Sequence, residues 1–143
     1  FVDRIGVKLG LSFPAGPELE EIAQQGDETA LDLPCSVQGL EISFSGPCSA
    51  AMREIEAGAA KENIALGIQQ VIAESLLKML TTAVKEYNCP NILLVGGVMA
   101  NQYLRDRLKN DLQVETLAPK LYFADPQWSS DNAVGTAALG LKS

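Results

Sequence analysis

The fold class is indicated by one stretch, which reads Ile92-Leu93-Leu94-Val95-Gly96-Gly97-Val98-Met99-Ala100-Asn101. Its continuous apolar run is typical of a central strand that is covered on both faces. Because Gly96 and Gly97 carry no Cβ atom, a ligand can approach the main chain there. A polar helix is predicted from Asn101 to Asn110, and its first N–H groups and partial positive charge favour the same position. We therefore predict a ligand site at Gly96, Gly97 and Asn101, with a simple helix cap at Asn101 as the alternative.

Helical and strand patterns alternate on both sides of this stretch. The strongest runs from Lys61 to Tyr87, where apolar residues recur at three- and four-residue steps as in a buried core helix. Other helices are predicted over residues 1–10, 17–26, 49–56 and 132–141. Strands are predicted over residues 41–44, 114–117 and 121–124, and a loop or irregular hairpin over residues 27–40. This order of elements predicts an α/β fold.

The composition restricts the possible functions. A chain of 143 residues with 47% hydrophobic and 20% charged residues forms one domain or one lobe of a larger enzyme, and is not disordered. Its net charge of −7 makes it a poor nucleic-acid binder on its own. It has no histidine, which excludes Ser-His-Asp catalysis and histidine-bearing zinc sites within these residues. Three cysteines without a C-x-x-C pair predict reduced thiols in a cytoplasmic protein, and no apolar run approaches the length of a membrane span.

Three further places hold residues that can carry chemistry, and each has a simpler structural interpretation. Asp3 and Gly16 can meet on one ligand, although an aspartate on a helix is usually just solvated. Asp131 can bind a divalent metal or only cap the last helix. The stretch from Ser43 to Gly46 can contact a phosphate, or be the end of a strand followed by turn residues.

Four short motifs follow one another along nearly the whole chain. They are Phe1-Val2-Asp3-Arg4 with Leu9 to Pro17, Ile42 to Gly46, Gly96 to Asn101 with Leu104-Arg105, and Ser130 to Ala133. Together they resemble the tRNA adenosine threonylcarbamoyltransferase family, long described as glycoprotease or O-sialoglycoprotein endopeptidase. That family belongs to the superfamily of actin, sugar kinases and heat-shock ATPases. The resemblance implies an α/β fragment of an actin-like (ribonuclease H-like) ATPase lobe, with a mixed sheet flanked by helices.

The resemblance also implies roles for single residues. Those implied to bind an adenylate are Asp3, Gly16, Gly96, Gly97 and Asn101, and Asp131 is implied to bind a divalent metal, iron or zinc. The other metal ligands of the family lie in an H-x-x-x-H motif. We expect that motif upstream, because the chain begins within a helical pattern and lacks histidine. Residues 1–143 are then the C-terminal lobe fragment of a longer protein, without its N-terminal lobe and inactive alone. No catalytic residue is assigned within it.

The implied reaction moves a threonylcarbamoyl group from its adenylate to an adenosine of tRNA, with the metal stabilising developing negative charge. The implied partners are threonylcarbamoyl-adenylate or another adenylate, tRNA bound through other domains or subunits, and the proteins of a modification complex. A homodimer of the fragment is a further possibility, since an incomplete lobe has an open sheet edge. We expect a cytoplasmic protein without membrane contact.

The chain departs from the family pattern in ways that keep other interpretations open. Ala15 replaces the first glycine of the P-G-G turn, Pro47-Cys48 replaces Leu-Lys, and Ser130 replaces threonine. The loss of that lysine and the shortness of the 27–40 region indicate a divergent paralogue. It is then an enzyme with another nucleotide substrate, or a non-catalytic assembly lobe. The endopeptidase interpretation is disfavoured, because no carboxylate is placed as a general base beside a zinc-bound water.

Overall fold

The computed structural model describes residues 1–112 and 119–125 of the chain. It contains both helices and short strands, which confirms the predicted mixed α/β class. In order, the elements are α1 (Val2–Lys8), α2 (Gly16–Ala23), β1 (Val37–Gln38), β2 (Glu41–Ile42), α3 (Ser45–Glu56), α4 (Lys61–Tyr87), β3 (Asn91–Leu94), a 3₁₀ helix (Gly97–Ala100), α5 (Gln102–Leu112) and β4 (Lys120–Phe123).

Helix α4 is the centre of the fold, and α2, α3 and α5 all pack against it. Its bounds confirm the prediction from the apolar repeat. The helix ends where Asn88 adopts the left-handed conformation, with φ of 49°, and Pro90 cannot continue it. By length and composition alone, α4 is long and apolar enough to cross a membrane. However, 61% of its most apolar window is buried inside the domain, as expected of a core helix.

The strands form two small sheets. β1 and β2 pair antiparallel through a turn at Gly39, which has φ of 60°. This confirms the irregular hairpin, although strand β2 ends at Ile42 and not at Phe44. β3 and β4 pair in parallel, with Leu94 opposite Phe123, and the β4 prediction is correct to within one residue.

Within residues 1–112 and 119–125, strand β3 is covered on one face only, which departs from the prediction of a central strand covered on both. Leu93 is 68% exposed and Val95 is 60% exposed, while Leu94 is buried. Within the described residues β3 has β4 as its paired strand. A continuous apolar run shows that a strand can be buried on both faces, but the covering must come from other elements.

Helix α3 begins at Ser45, four residues before the predicted start at Ser49. The residues Ser45-Gly46-Pro47 therefore form its first turn rather than a separate turn. Proline is tolerated there because the first N–H groups of a helix have no intrahelical acceptor, and Pro47 is fully buried.

The short helices agree with the sequence to within a few residues. α1 is followed by Gly10, which has φ of 83° and closes the helix as predicted. α2 ends at Ala23, before the predicted stop at Gly26, and α5 starts one residue after Asn101. The predictions for residues 114–117 and 132–141 lie outside the described residues, as does Asp131.

Candidate nucleotide-binding cavity

The turn between α1 and α2, residues 9–15, is held by the side chain of Asp3. One carboxylate oxygen of Asp3 accepts a hydrogen bond from the Ala15 N–H at 2.8 Å. Helix α2 then begins at Gly16, so the carboxylate and the bare main chain lie side by side as the sequence suggests. Asp3 itself is half-buried.

The same turn depends on close contact between two small residues. Ala15 is fully buried, and a methyl group added to Gly6 would overlap the methyl of Ala15. The departure from the P-G-G pattern at residue 15 is therefore accommodated by a glycine on α1. The replacement leaves the contact between Asp3 and the start of α2 in place.

The turn between β3 and α5, residues 95–101, has a different construction. Gly96 has φ of 105°, a conformation that favours glycine, and a 3₁₀ helix follows from Gly97. The Asn101 side chain caps α5, because its Oδ1 accepts the Leu104 N–H at 2.9 Å. The helix-cap interpretation of Asn101 is thus correct, and the amide nitrogen of the same side chain is not used by that bond.

Arg105 fixes this second turn to the end of strand β4. Its guanidinium donates to the carbonyl oxygen of Met99 and to that of Ala124, the latter at 2.6 Å. It also lies over the ring of Phe123, 5.3 Å from the centroid. Arg105 belongs to the Leu104-Arg105 part of the motif, and its role here is to hold the main chain.

Glu20 connects the two turns, and sequence reasoning missed it. Its Oε1 accepts a hydrogen bond from the Gln102 N–H at 2.7 Å, which joins α2 to the first turn of α5. From sequence it is one of several glutamates near the start of α2, and all of them favour the helix dipole. Its position one turn after Gly16 is the available signal that it faces the same side as the glycine.

A cavity of about 540 Å³ lies between the two turns and α4. Four of the five residues predicted to bind an adenylate line it, and Gly96 is not among the lining residues. The walls consist of Val2, Asp3, Pro14, Gly16, Pro17, Leu19, Glu20, Ile68, Gln69, Ile72, Gly97, Val98, Ala100, Asn101 and Leu104. The structure therefore brings Asp3, Gly16, Gly97 and Asn101 together, although they are distant in sequence.

The cavity has a polar rim and an apolar floor. Gly97 is exposed, and Asp3 and Asn101 are half-buried, so these residues form the rim. Leu19, Ile68, Ile72 and Leu104 are buried and form the floor with Gln69. A mostly apolar pocket with a few polar groups is typical of small-molecule sites.

Two carboxylates, those of Asp3 and Glu20, are the charged groups among the described residues that line the cavity. Carboxylates accept hydrogen bonds from hydroxyl groups but repel phosphate. The arrangement suits the sugar of a nucleotide near Asp3 and Glu20. Its phosphate is better placed away from these two side chains.

A second cavity of about 370 Å³ adjoins the first and shares Glu20 and Gln69 with it. Within the described residues, the Gln69 Nε2 atom and the Tyr103 hydroxyl are buried without a hydrogen-bond partner. Both residues line this second cavity. Leaving such a group unpaired costs about 1–3 kcal/mol, so both atoms need an explanation. Burial raises the pKa of Tyr103, and its phenol is therefore neutral near pH 7.

The stretch from Ser43 to Gly46 does not line the main cavity. The Ser43 and Ser45 hydroxyl groups lie 2.9 Å apart and share a hydrogen bond. Phe44 stacks on Phe1 with ring centroids 5.1 Å apart. Within the described part of the chain these residues join α3 to α1, which favours the structural interpretation over a phosphate contact in this cavity.

The residues present do not form a metal site by themselves. The sequence has no histidine, and the described residues contain no cluster of three or more potential acidic or cysteine ligands. Asp131 lies outside the described residues. A single carboxylate does not satisfy a divalent metal, and the remaining ligands would have to come from elsewhere.

A family model described as TsaD, tRNA N6-adenosine threonylcarbamoyltransferase, matches residues 1–138. A probable bifunctional tRNA threonylcarbamoyladenosine biosynthesis protein of Methanothermobacter thermautotrophicus is 35% identical over 97% of this chain and 26% of its own length. A tRNA N6-adenosine threonylcarbamoyltransferase of Thermococcus sibiricus is 34% identical over 99% of this chain and 43% of its own length. The chain thus spans about a quarter to less than half of these curated relatives.

Among solved structures, the chain is similar to HypF of T. kodakarensis. The TM-score is 0.73 with 22% sequence identity, over 97% of this chain and 19% of that one. At this identity the likeness shows the fold alone. It agrees with the predicted α/β fold.

Proposed function

The chain belongs to the TsaD family of tRNA N6-adenosine threonylcarbamoyltransferases, and from this premise we propose that it forms the nucleotide-binding part of such a transferase. The observation that carries the proposal is the shared cavity of Asp3, Gly16, Gly97 and Asn101. These residues come from three separate parts of the chain. Their meeting on one pocket is what the implied adenylate site requires.

In the proposed reaction the N6 amino group of a tRNA adenosine attacks the carbonyl carbon of threonylcarbamoyl-adenylate. A carbon–nitrogen bond forms, and the bond from that carbon to the phosphate oxygen breaks. AMP leaves with the electron pair, and the amino group loses one proton. This chain contributes binding and orientation, which lower the entropic part of the barrier.

Each cavity residue has a distinct part in the proposed binding. Asp3 and Glu20 accept hydrogen bonds from ribose hydroxyl groups, each using oxygen lone pairs not engaged by the main-chain donor. Gly16 and Gly97 present main chain without a Cβ atom, so the sugar can lie close. The amide nitrogen of Asn101 is available to donate to the nucleotide while its oxygen caps α5.

The partners follow from charge. A net charge of −7 opposes contact with a phosphate backbone, so we propose that tRNA is bound by other domains or subunits of the complete enzyme. Proteins of a modification complex are the corresponding partners. Cytoplasmic location is part of the same proposal, and the free thiols of Cys35, Cys48 and Cys89 support it.

The experiment is titration calorimetry of the intact protein with adenosine monophosphate, comparing wild type with Asp3→Asn. The asparagine keeps an oxygen for the Ala15 N–H but loses the charge that strengthens a ribose contact. We expect affinity to fall about tenfold at unchanged stability. Glu86→Gln, on an exposed residue near the end of α4, is the control. Equal affinity of all three proteins would remove Asp3 from the site.

A divalent metal, iron or zinc, remains a proposal with Asp131 as the one ligand from this chain. Its test is metal analysis of the intact protein, because the metal content does not depend on activity. Asp131→Ala should lower the bound metal and abolish metal-dependent transfer, whereas Asp32→Ala should leave both unchanged. Wild-type metal content in Asp131→Ala would refute the assignment.

A second candidate is a non-catalytic assembly lobe. It is favoured by the exposed apolar side chains of Leu93, Val95 and Tyr122 on β3, its end and β4. This candidate predicts that the intact protein binds no adenosine monophosphate. The same calorimetric titration therefore separates it from the transferase.

A further inference from the structure

Gln69 is a buried amide on the floor of the main cavity. Its side chain belongs to a residue that is 3% exposed, and its Nε2 has no hydrogen-bond partner within the described residues. The other α4 residues that line the cavity, Ile68 and Ile72, are apolar. Gln69 is thus the polar group that the α4 wall offers to a ligand.

An unpaired buried amide is uncommon, because such groups nearly always find a partner in the folded protein. An acceptor supplied by a bound ligand would account for a buried Nε2 that has no partner among the described residues. The neighbouring Gln70 shows the contrast, since its Nε2 donates to the Glu28 carbonyl at 3.1 Å. Two adjacent glutamines on one helix therefore differ in whether the fold itself supplies the acceptor.

We infer that Gln69 reads the edge of the nucleotide base and makes the cavity selective for adenine. The inference rests on the proposed nucleotide site and adds its base specificity. A primary amide combines a donor and an acceptor, and it pairs with the N7 acceptor and the N6 donor of adenine. Guanine presents acceptors at both positions, so it leaves the amide oxygen facing another acceptor.

The depth of the cavity fits this assignment. Asp3 and Asn101, which face the sugar in the proposed site, lie on the half-buried rim. Gln69 is buried and lines the cavity together with Ile68 and Ile72, whose apolar side chains offer packing surface to a flat ring. A nucleotide bound by its ribose at the rim directs its base inward to that floor.

The experiment measures the affinity of the intact protein for the 5′-monophosphates of adenosine, guanosine, purine riboside and 7-deazaadenosine. Purine riboside lacks the 6-amino group, and 7-deazaadenosine lacks the N7 acceptor. We expect wild type to bind adenosine monophosphate about tenfold more tightly than each of the other three. These ligand changes test the inference without any substitution in the protein.

Gln69→Met removes both amide contacts at similar volume. It should reduce the preference among the four nucleotides to within about twofold. Because it also removes an unpaired buried donor, it should leave the melting temperature of the unliganded protein unchanged or raised. A purely structural glutamine would instead lower the melting temperature and leave the base preference intact. Gln70→Met is the matched control and should keep the wild-type preference.

The outcomes separate this inference from the proposal on which it rests. If wild type binds all four nucleotides equally, or if Gln69→Met keeps the preference for adenine, Gln69 does not read the base while the nucleotide site stands. If wild type binds none of them, the proposed nucleotide site fails and the inference fails with it. A wild-type preference that is lost in Gln69→Met and kept in Gln70→Met supports both.

Discussion

The two turns that border the cavity are held in opposite ways. In the α1–α2 turn a side chain that lines the cavity, Asp3, fixes the main chain at Ala15. In the β3–α5 turn most of that work is done by Arg105, which does not line the cavity and binds two carbonyl groups behind it. In the first turn, a residue that lines the cavity also holds the main chain. In the second turn, the main chain is held largely by a residue outside the cavity lining.

The largest expected effect concerns the packing behind the first turn. In Gly6→Ala the new methyl overlaps that of Ala15, and we expect a loss of about 3 kcal/mol in the free energy of unfolding. Ala15→Gly in the same chain should restore most of it, because the other neighbours of the added methyl are 3.6 and 3.7 Å away. Chemical denaturation measures all three variants.

Gly46→Ala is the control for this pair, since nothing lies within 4 Å of the added methyl. It should change stability by less than about 0.5 kcal/mol. If Gly6→Ala were as stable as this control, the close contact between α1 and the turn would be wrong.

The next effect tests the division of work in the second turn. Arg105→Met leaves the Met99 and Ala124 carbonyl groups without their donor, and we expect a loss of about 2 kcal/mol. Arg107→Met is the matched control, because Arg107 forms an exposed pair with Asp111 at 3.0 Å and should cost less than about 0.5 kcal/mol. The urea midpoint distinguishes them, and equal midpoints would contradict the structural role of Arg105.

Asn101 resembles Asp3 because its side chain both lines the cavity and binds a main-chain N–H. Two substitutions separate these two roles. Asn101→Ala removes the cap of α5 and should cost about 1 kcal/mol. Asn101→Asp keeps the cap, so its stability should stay within about 0.5 kcal/mol of wild type. Both should bind adenosine monophosphate about tenfold more weakly, because both lose the amide donor. Unchanged affinity in Asn101→Asp would leave Asn101 as a cap alone.

The smallest effect concerns Tyr103, beside the link from Glu20 to α5. Tyr103→Phe removes a buried hydroxyl that has no partner among the described residues, so stability at pH 7 should be unchanged or higher by up to about 1 kcal/mol. Tyr87→Phe, at an exposed ring, is the control and should stay near wild type at pH 7. A clear loss of stability in Tyr103→Phe would show that the hydroxyl has a partner after all.

Tyr103 also predicts a direction with pH. Burial raises its pKa, so the unfolded chain ionises first and binds fewer protons than the folded protein above about pH 10. The stability due to the neutral phenol is complete below that pH and is lost as the pH rises through the folded pKa. Tyr103→Phe should therefore reduce the fall in stability measured as the pH rises above about 10.

The sequence anticipated four cavity residues but missed three polar groups around it. The four anticipated residues belong to motifs that can be recognised from the sequence. They are Asp3, Gly16, Gly97 and Asn101. Glu20, Gln69 and Tyr103 lie within ordinary helical patterns. The available signal at Gln69 was a polar residue on an apolar face, four residues after Ala65 and three before Ile72. Its lack of a partner depends on neighbours that no local pattern specifies.

The errors in the fold have the same origin. The apolar run of β3 gave the right element but the wrong burial, because exposure depends on which other elements cover the strand. The start of α3 was placed too late, because Ser45-Gly46-Pro47 is compatible both with a turn and with a first helical turn. Local preferences leave such choices open until packing decides them.

The amino-acid sequence alone determined the order of helices and strands, the extent of α4 and the membership of four cavity residues in motifs. These depend on periodicity and on residues close together in the chain, which act before any long-range contact forms. The tertiary structure alone decided that α1, α2, α4 and the β3–α5 turn enclose one cavity, and that the Gln69 Nε2 atom is buried with no hydrogen-bond partner in the part of the chain that the structure describes. Such properties arise only when distant segments pack, since burial and hydrogen bonding depend on every neighbour at once.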